Sequence, residues 1–516
     1  MTRTVLSGGG VLVAADVSAA GFFIIKSSFQ CHFVDVKEPK TGFIRSCLLG
    51  YSKFCVFCQL MGRMGEVERE HYVTIGIMEK RVFRETDGIR GKVGEEPLTE
   101  KSMRKLGQAV GRYFEGGKML IGRDTRESGV WISRELSLGM SEVGCEVWDI
   151  GEVTTPCVGI LTDMEDVAGG VMVTASHDPA GDNGVKVFDG RGDKLTDDEE
   201  LEVEKLFFEE IEVREKKGEV LDRLVLVDDY IDRAVEGVSL EGWKICVDSA
   251  AGGGWKIVRK ALEKAGATVV EVGPMPDGNN INEDCGALYP EKLAGAVVRE
   301  GADMGVALDG DGDRLMIVDD EGIIWDGDRI VAVLAMWMKR DGRLLNDVVV
   351  MTEYSNLSAV RFLEKAGVRV EKVLNGDRAV VQVCRELGAV LGGEFSGHII
   401  YPEWLSASDG LFASVLVAGI ACEKGVRLSS LRPEYENFPR KIWNIEVKER
   451  KPLDEMAGWE EGLRRWREYL GAEGRTFARY SGTEDLLRIL VEAQDSEKME
   501  KVGEELSEII RKEIGQ

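Results

Sequence analysis

The chain has 516 residues, 44% of them hydrophobic, and a formal net charge of −26 at pH 7. That length predicts several domains of roughly 100–200 residues, each able to bury a core, and no apolar run approaches the roughly 18 residues of a membrane span. The charge argues against nucleic acid, whose binding rests on Lys and Arg neutralising phosphates, while a local basic pocket for a small phosphorylated molecule stays compatible with it.

Residues 1–77 differ from the rest. They carry eight Lys/Arg against six Asp/Glu, a net +2, which leaves −28 for the remainder. No helical or strand period persists there. Gly8-Gly9-Gly10 before an apolar stretch faintly resembles a signal peptide, but Asp16 interrupts it and no cleavage site follows. Cys55-x-x-Cys58 is half a zinc site at best, with Cys31, His32 and Cys47 as conceivable partners, and chance is the better explanation. The ten cysteines are otherwise scattered singly, which points to a reducing compartment. A start assigned too far upstream, with Met78 as the first residue, or a lineage-specific extension would account for this segment.

From Met78 the pattern sharpens. Thr86-Asp87-Gly88-Ile89-Arg90-Gly91 is a polar glycine-rich loop. Thr99 then reads as an N-cap to a helix with Met103, Leu106, Val110 and Tyr113 on one face. Three stretches echo one another: a strand, a helix, a glycine C-cap and a second strand. They run from Met119 through Gly144 to Ile150, from Ile245 through Gly266 to Val272, and from Val348 through Gly367 to Val373. The expected fold class is α/β: three similar domains with mixed, largely parallel sheets. A smaller α+β domain closes the chain, with strands at 442–447 and 486–491 and a helix capped by Asp495.

Four constellations carry chemistry. The apolar strand Gly170–Val173 leads into Thr174-Ala175-Ser176-His177-Asp178-Pro179, with Asp182-Asn183-Gly184-Val185-Lys186 just beyond. A hydroxyl, an imidazole, carboxylates and an ammonium thus gather at a strand end, where α/β sheets bind ligands; taken alone, a polar turn would explain it. Asp309-Gly310-Asp311-Gly312-Asp313-Arg314 follows the apolar strand Met304–Leu308. Three carboxylates at i, i+2 and i+4 can converge on one hard cation, magnesium or calcium. An EF-hand is rejected, since its sixth and twelfth positions are here Arg314 and Asp320. Gly393-Glu394-Phe395-Ser396-Gly397-His398 suits sugar hydroxyls or a plain hairpin, and Gly376-Asp377-Arg378 is a weaker loop of that kind. Arg479-Tyr480-Ser481-Gly482-Thr483-Glu484, with Arg488 on the next strand, reads as a phosphate cradle of N–H groups, hydroxyls and guanidinium forks.

With those four segments in order, the chain from about Met78 onward resembles the α-D-phosphohexomutases. It leans toward the phosphoglucosamine mutase branch through Thr86–Gly91, Asp182–Lys186, Gly278-Asn279-Asn280-Ile281-Asn282 and Gly393–His398, with the phosphomannomutase/phosphoglucomutase branch beside it. Glu85, Asp178 and Asp485 depart from the usual glycine, asparagine and proline. The resemblance implies a heart-shaped four-domain enzyme: 1–77 outside the match, 78–238 with the phosphoserine, 239–340 with the metal loop, 341–436 with the sugar loop, and 437–516 with the phosphate site. It implies Ser176 as phosphoserine, with His177, Lys186 and Arg90 as catalytic groups. It implies one Mg2+ on Ser176, Asp309, Asp311 and Asp313, and a hexose 1,6-bisphosphate as activator. Substrate contacts would come from Arg314, Gly376, Asp377, Arg378, Glu394, Ser396, His398, Arg479, Ser481, Gly482, Thr483 and Arg488. The expected activity is interconversion of hexose 6- and 1-phosphates in a cytoplasmic monomer or homodimer, its partner a small phosphorylated hexose, with neither nucleic acid nor membrane. His398 could equally be structural. The rivals are a magnesium-dependent phosphatase and a sugar-phosphate-binding protein without catalysis.

Overall fold

The computed structural model describes residues 88–374, 376–405, 407–481 and 485–515, and the backbone of three strands nearer the N-terminus. The chain divides into two units, Met1–Glu79 and Lys80–Gln516. In the first, Leu12–Val13, Phe22–Ser27 and Gln30–Asp35 form an antiparallel three-stranded sheet. The readings of Met78 as a start, of Cys55 and Cys58 as zinc ligands with Cys31, His32 and Cys47, and of Thr86-Asp87 lie outside the described residues and side chains.

The second unit is built on four sheets. The first holds β1 (Ile89–Lys92), β2 (Lys118–Arg123), β3 (Glu146–Glu152), β4 (Gly169–Val173), β5 (Asp182–Asp189) and β6 (Val220–Asp222) in the order β1-β5-β4-β2-β3-β6. Its helices are α1 (Glu100–Tyr113), α2 (Glu127–Glu142), α3 (Thr155–Met164) and α4 (Asp197–Phe208), followed by α5 (Val227–Ala234). The second sheet holds β7 (Lys244–Asp248), β8 (Thr268–Glu271), β9 (Met304–Leu308), β10 (Leu315–Asp319) and β11 (Ile324–Trp325), ordered β8-β7-β9-β10-β11, with α6 (Ile257–Lys264) and α7 (Glu291–Glu300). After α8 (Gly327–Arg340) comes the third sheet: β12 (Val348–Thr352), β13 (Arg369–Val373), β14 (Gly392–Gly393) and β15 (Ile399–Ile400), ordered β13-β12-β14-β15, with α9 (Leu357–Lys365), α10 (Asp377–Leu387) and α11 (Gly410–Lys424). The last sheet is β16 (Arg440–Glu446), β17 (Gly474–Tyr480) and β18 (Leu486–Ala493), antiparallel in the order β16-β18-β17, with α12 (Trp459–Leu470) and α13 (Ser496–Ile514).

The predicted internal repeat is a repeat of topology. In each of the first three sheets one strand, β2, β7 or β12, pairs in parallel with two neighbours, and one of those neighbours turns back into an antiparallel strand. The strands that carry this pattern, β4, β9 and β12, are buried along their whole length, which is why they read as continuous apolar runs rather than alternating ones. Gly144, Gly266 and Gly367, the predicted helix stops, all lie at positive φ. Thr99 caps α1 by accepting from Ser102 N, and Asp495 caps α13 by accepting from Glu497 N and Lys498 N.

This topology places three loops alike. The turn from the last parallel strand into its antiparallel neighbour is β4–β5 in the first sheet, β9–β10 in the second and β14–β15 in the third. Those turns carry Ser176, Asp309–Arg314 and Glu394–His398. One apolar core runs from Leu120 and Phe188 through Trp325 to Leu428 and unites the first three sheets, whereas Trp443, Trp459, Ile489 and Leu506 form a separate core in the fourth.

Candidate active site

Ser176 lies three residues past β4, with φ +50° and 1% exposure. Its Oγ donates to Asp309 Oδ2 at 2.9 Å, and His177 Nδ1 lies 3.4 Å from the same Oγ. The loop from β9 brings the three aspartates together: one carboxylate oxygen from each lies within 4.8 Å of the others, and all three residues are buried. Glycine at 310 is more than a spacer. A Cβ there would stand 2.6 Å from the Ser176 carbonyl oxygen, so only glycine lets the aspartate loop lie against the serine loop.

Three carboxylates so close repel one another. Burial first, then the neighbouring Asp313 and Asp311, push the Asp309 carboxyl well above the ordinary range. Lys186 answers from β5, opposite Met172 of β4: its buried Nζ donates to Asp311 Oδ2 at 2.8 Å and to Asp313 Oδ2 at 3.0 Å. Thr155, in the first turn of α3, donates its hydroxyl to Asp311 Oδ2 and its N–H to the Asp311 carbonyl at 2.8 Å. Asp313 Oδ1 is buried without a hydrogen-bond partner. An all-oxygen, over-acidic, buried donor set with an oxygen left over fits a hard divalent cation.

Around this centre the imidazoles differ in setting. Burial first, then the Arg314 cation, lowers His177 to about 4, so its ring is neutral at pH 7 and able to take a proton. His398 is buried between loops: Nδ1 lies 3.2 Å from the Asp313 carbonyl, and Arg314 Nε donates to Nε2 at 3.2 Å. A proton on Nδ1 satisfies both bonds. Arg314 Nε also stands 3.9 Å from Asp309 Oδ2. Arg90, on β1, donates to Asp178 Oδ2 at 3.3 Å and to the Ala175 carbonyl at 3.4 Å, so it braces the serine loop from outside.

The third loop aims Glu394 by two bonds: Oε1 accepts from Gly376 N at 2.7 Å and Oε2 from Ser396 Oγ at 3.0 Å. Gly376 and Glu394 thus belong together. Asp377 and Arg378 reach elsewhere, across to the first sheet's domain: Lys194 Nζ donates to Asp377 Oδ2 at 2.7 Å, and Arg378 pairs with Glu200 and, at 3.2 Å, with Asp197.

On the fourth sheet Arg479 of β17 stands directly opposite Arg488 of β18. Two cations facing each other across a ladder repel unless an anion is shared between them. Arg479 Nε donates to Tyr354 Oη at 2.9 Å, and Ser481 N donates to the Leu486 carbonyl at 2.8 Å. Gly482 and Thr483 lie outside the described residues. Sequence reasoning missed Thr155 and Tyr354. Thr154-Thr155-Pro156 is a visible helix start, with Thr154 accepting from Cys157 N, but nothing in its spacing links it to residue 311.

Comparison with known proteins gives these observations a family context. Four models of the phosphoglucomutase/phosphomannomutase family match in order: alpha/beta/alpha domain I over residues 81–214, domain II over 228–322, domain III over 326–438, and the C-terminal domain over 443–509. The phosphoglucosamine mutase of Bdellovibrio bacteriovorus is 36% identical over 457 residues, covering 85% of this chain and all of the relative. That of Gluconacetobacter diazotrophicus is 38% identical over 437 residues, covering 82% and 96%. Among solved structures, a phosphoglucomutase/phosphomannomutase family protein from Burkholderia thailandensis superposes with a TM-score of 0.69 at 22% identity, over 84% of this chain and 97% of its own. The Aspergillus fumigatus N-acetylphosphoglucosamine mutase, solved in complex with GlcNAc-6P and magnesium, gives 0.57 at 19% identity, over 83% and 95%.

Proposed function

Since this chain belongs to the phosphoglucomutase/phosphomannomutase family, we propose that it interconverts hexose 6-phosphate and hexose 1-phosphate, with glucosamine phosphate as the preferred sugar. The observation that carries the reading is the meeting of Ser176 Oγ with the buried aspartate triad at 2.9 Å. The choice of glucosamine rests on the phosphoglucosamine mutases at 36–38% identity over most of the chain.

In this reading Ser176 carries a phosphoryl group. The P–Oγ bond breaks as a bond forms to the free sugar hydroxyl. The hydroxyl proton passes to neutral His177 at Nδ1, 3.4 Å from Oγ, and from there to Ser176 Oγ. The resulting hexose bisphosphate turns over, and the second half runs in reverse: Ser176 Oγ gives its proton back and takes the phosphoryl group from the other end. Lys186 and Arg314 hold positive charge against the acidic loop throughout. A Mg2+ held by Asp309, Asp311, Asp313 and the Ser176 phosphate would neutralise charge on the transferring group. Glu394 and Ser396 would grip sugar hydroxyls, and Arg479, Ser481 and Arg488, with Gly482 and Thr483, the phosphate that does not react. A hexose 1,6-bisphosphate would prime an unphosphorylated enzyme. A cytoplasmic location belongs to the same reading, on cysteines used singly rather than as a disulfide framework, and a monomer or homodimer on the family resemblance.

The test is turnover of glucosamine, mannose and glucose 6-phosphates by the purified protein with Mg2+ and hexose 1,6-bisphosphate, beside Ser176→Ala. We expect glucosamine 6-phosphate to lead and the variant to fall at least ~10³-fold, the scale of losing a nucleophile. Undiminished isomerisation by Ser176→Ala would end the phosphoserine reading, and a lead by mannose or glucose would reassign the sugar.

A further inference from the structure

Ser176 holds a left-handed backbone although it is not glycine. Such a conformation persists only where the surroundings over-determine it. Both backbone groups of Ser176 trace to one buried carboxylate. Its N–H donates to Thr174 Oγ1 at 2.8 Å, and that hydroxyl donates to Asp124 Oδ2 at 2.7 Å. Its carbonyl accepts from Arg126 Nη2 at 3.0 Å, and Arg126 Nε donates to the same Asp124 Oδ2 at 2.9 Å.

The Arg126 side chain is fully buried, and its fork is spent on a single loop. Nη2 also donates to the Asp178 carbonyl at 2.8 Å, and Nη1 donates to the Asp182 carbonyl at 3.0 Å and to that of Pro179. From the second domain Asn282 Nδ2 reaches the same two carbonyls, Ser176 at 2.9 Å and Asp178 at 3.1 Å. A buried arginine needs a carboxylate for charge, and Asp124 provides it. Charge balance does not require four carbonyls of the loop that bears the nucleophile. The Asn282 bond adds a second condition, because it forms only when the domains bearing the serine and the aspartates are in register.

We infer that Arg126 and Asn282 are positioning residues for Ser176: they pin its carbonyl from two domains and so hold Oγ toward Asp309. The inference rests on Ser176 as the phosphoryl carrier. Removing either clamp lets the loop relax, and reacting atoms displaced by about 1 Å lose on the order of 100-fold in rate.

The experiment uses full-length Arg126→Lys, Arg126→Met and Asn282→Ala, each checked for folding by circular dichroism. The sugar phosphate that the wild type turns over best is the substrate. We expect kcat to fall by roughly 100-fold in Arg126→Met and about tenfold in Asn282→Ala, with KM unchanged. Arg126→Lys, which keeps a donor and the charge for Asp124, should recover part of the loss. Amide hydrogen exchange should rise in 174–182 while β9 and β12 stay protected. A kcat within twofold of wild type, or a KM that rises in step with the loss, overturns the inference. If the arginine variants do not fold, Asn282→Ala decides by the same readouts. Absence of phosphate on wild-type Ser176 by peptide mass after incubation with hexose 1,6-bisphosphate and Mg2+ would instead sink the proposed chemistry, and the exchange pattern would still judge the clamp.

Discussion

Lys186 places a single ammonium against two of three buried carboxylates, and it does so from a strand rather than a flexible loop. Removing one partner of a buried ion pair leaves the others uncompensated and costs about 3–5 kcal/mol. Lys186→Met should therefore lower the free energy of unfolding by roughly 3 kcal/mol in EDTA, and excess Mg2+ should return much of that loss by supplying the missing charge. Urea titrations with and without the cation measure both, and a variant as stable as wild type in EDTA would remove Lys186 from this role. At this scale the sequence was informative where partners are near neighbours. Asp309, Asp311 and Asp313 converge as their spacing predicts, and Ser176 sits where its strand end placed it. The contacts of Thr155, Arg126 and Asn282 were not legible, even though Asn282 ends the Gly278–Asn282 segment that carries part of the resemblance, because each acts on a residue at least 50 positions away. Asp377 and Arg378 add contacts that spacing did not signal: beside the sugar role expected of their glycine-led loop, their side chains pair with Lys194, Glu200 and Asp197 of the first sheet's domain.

The elements were easier to read than their partners. Fully buried strands gave unbroken apolar runs, and cap residues such as Thr99, Asp495 and Gly367 marked helix ends through local hydrogen bonding, which needs no tertiary information. What escaped in the third sheet was the strand pair β14 and β15, since they have two residues each, too short to show a period. Helix α8 carries a consequence of its own. Asp326 caps it by accepting from Arg329 N, and Asp328, fully buried one position into the helix, accepts from Asn356 N at 2.6 Å. Burial first, then the Asp326 charge, raises Asp328 to about 8. An aspartate raised from 3.8 in the unfolded chain favours the neutral acid in the fold. Its share of stability is full below pH 4 and fades as pH rises toward 8. Asp328→Asn has no such titration, so its stability relative to wild type should climb between pH 5 and pH 8. Unfolding midpoints that differ by a constant across that range would refute the shift.

At the scale of the whole second unit, the buried apolar core divides where the fourth domain begins. The first three sheets share a core, whereas Trp443, Ile489 and Leu506 belong to another, so beside one edge-to-face ring pair, Tyr354 and Phe477, the fourth domain is joined to the third by a set of polar contacts. Asn356 exchanges two bonds with Phe438 of the connecting segment, both 3.1 Å. Arg440 Nη1 donates to the Tyr354 carbonyl at 2.7 Å, and Arg475 reaches the Ser355 carbonyl. Glu492 is the centre of this junction: fully buried, it accepts from Arg475 Nε at 2.7 Å with one oxygen and from Leu357 N, the start of α9, at 2.8 Å with the other. None of this was visible beforehand, since the junction draws on segments near 356, 438, 475 and 492 that share no pattern. Polar junctions shear more readily than packed cores, and the phosphate site proposed for β17 and β18 would have its position set by this one. Glu492→Gln keeps the shape and the Leu357 bond but removes the ion pair with Arg475. A hydrogen bond to a charged group contributes about 1.5–3 kcal/mol, so if half of that steadies the closed arrangement, KM for the hexose phosphate should rise on the order of tenfold. Glu492 has no contact with Ser176, the proposed phosphoryl carrier, so kcat should change less than KM. Steady-state kinetics and small-angle scattering with and without substrate test both halves of the argument. The variant should compact less on binding, and an unchanged KM with unchanged compaction would mean that the fourth domain is held by something other than Glu492.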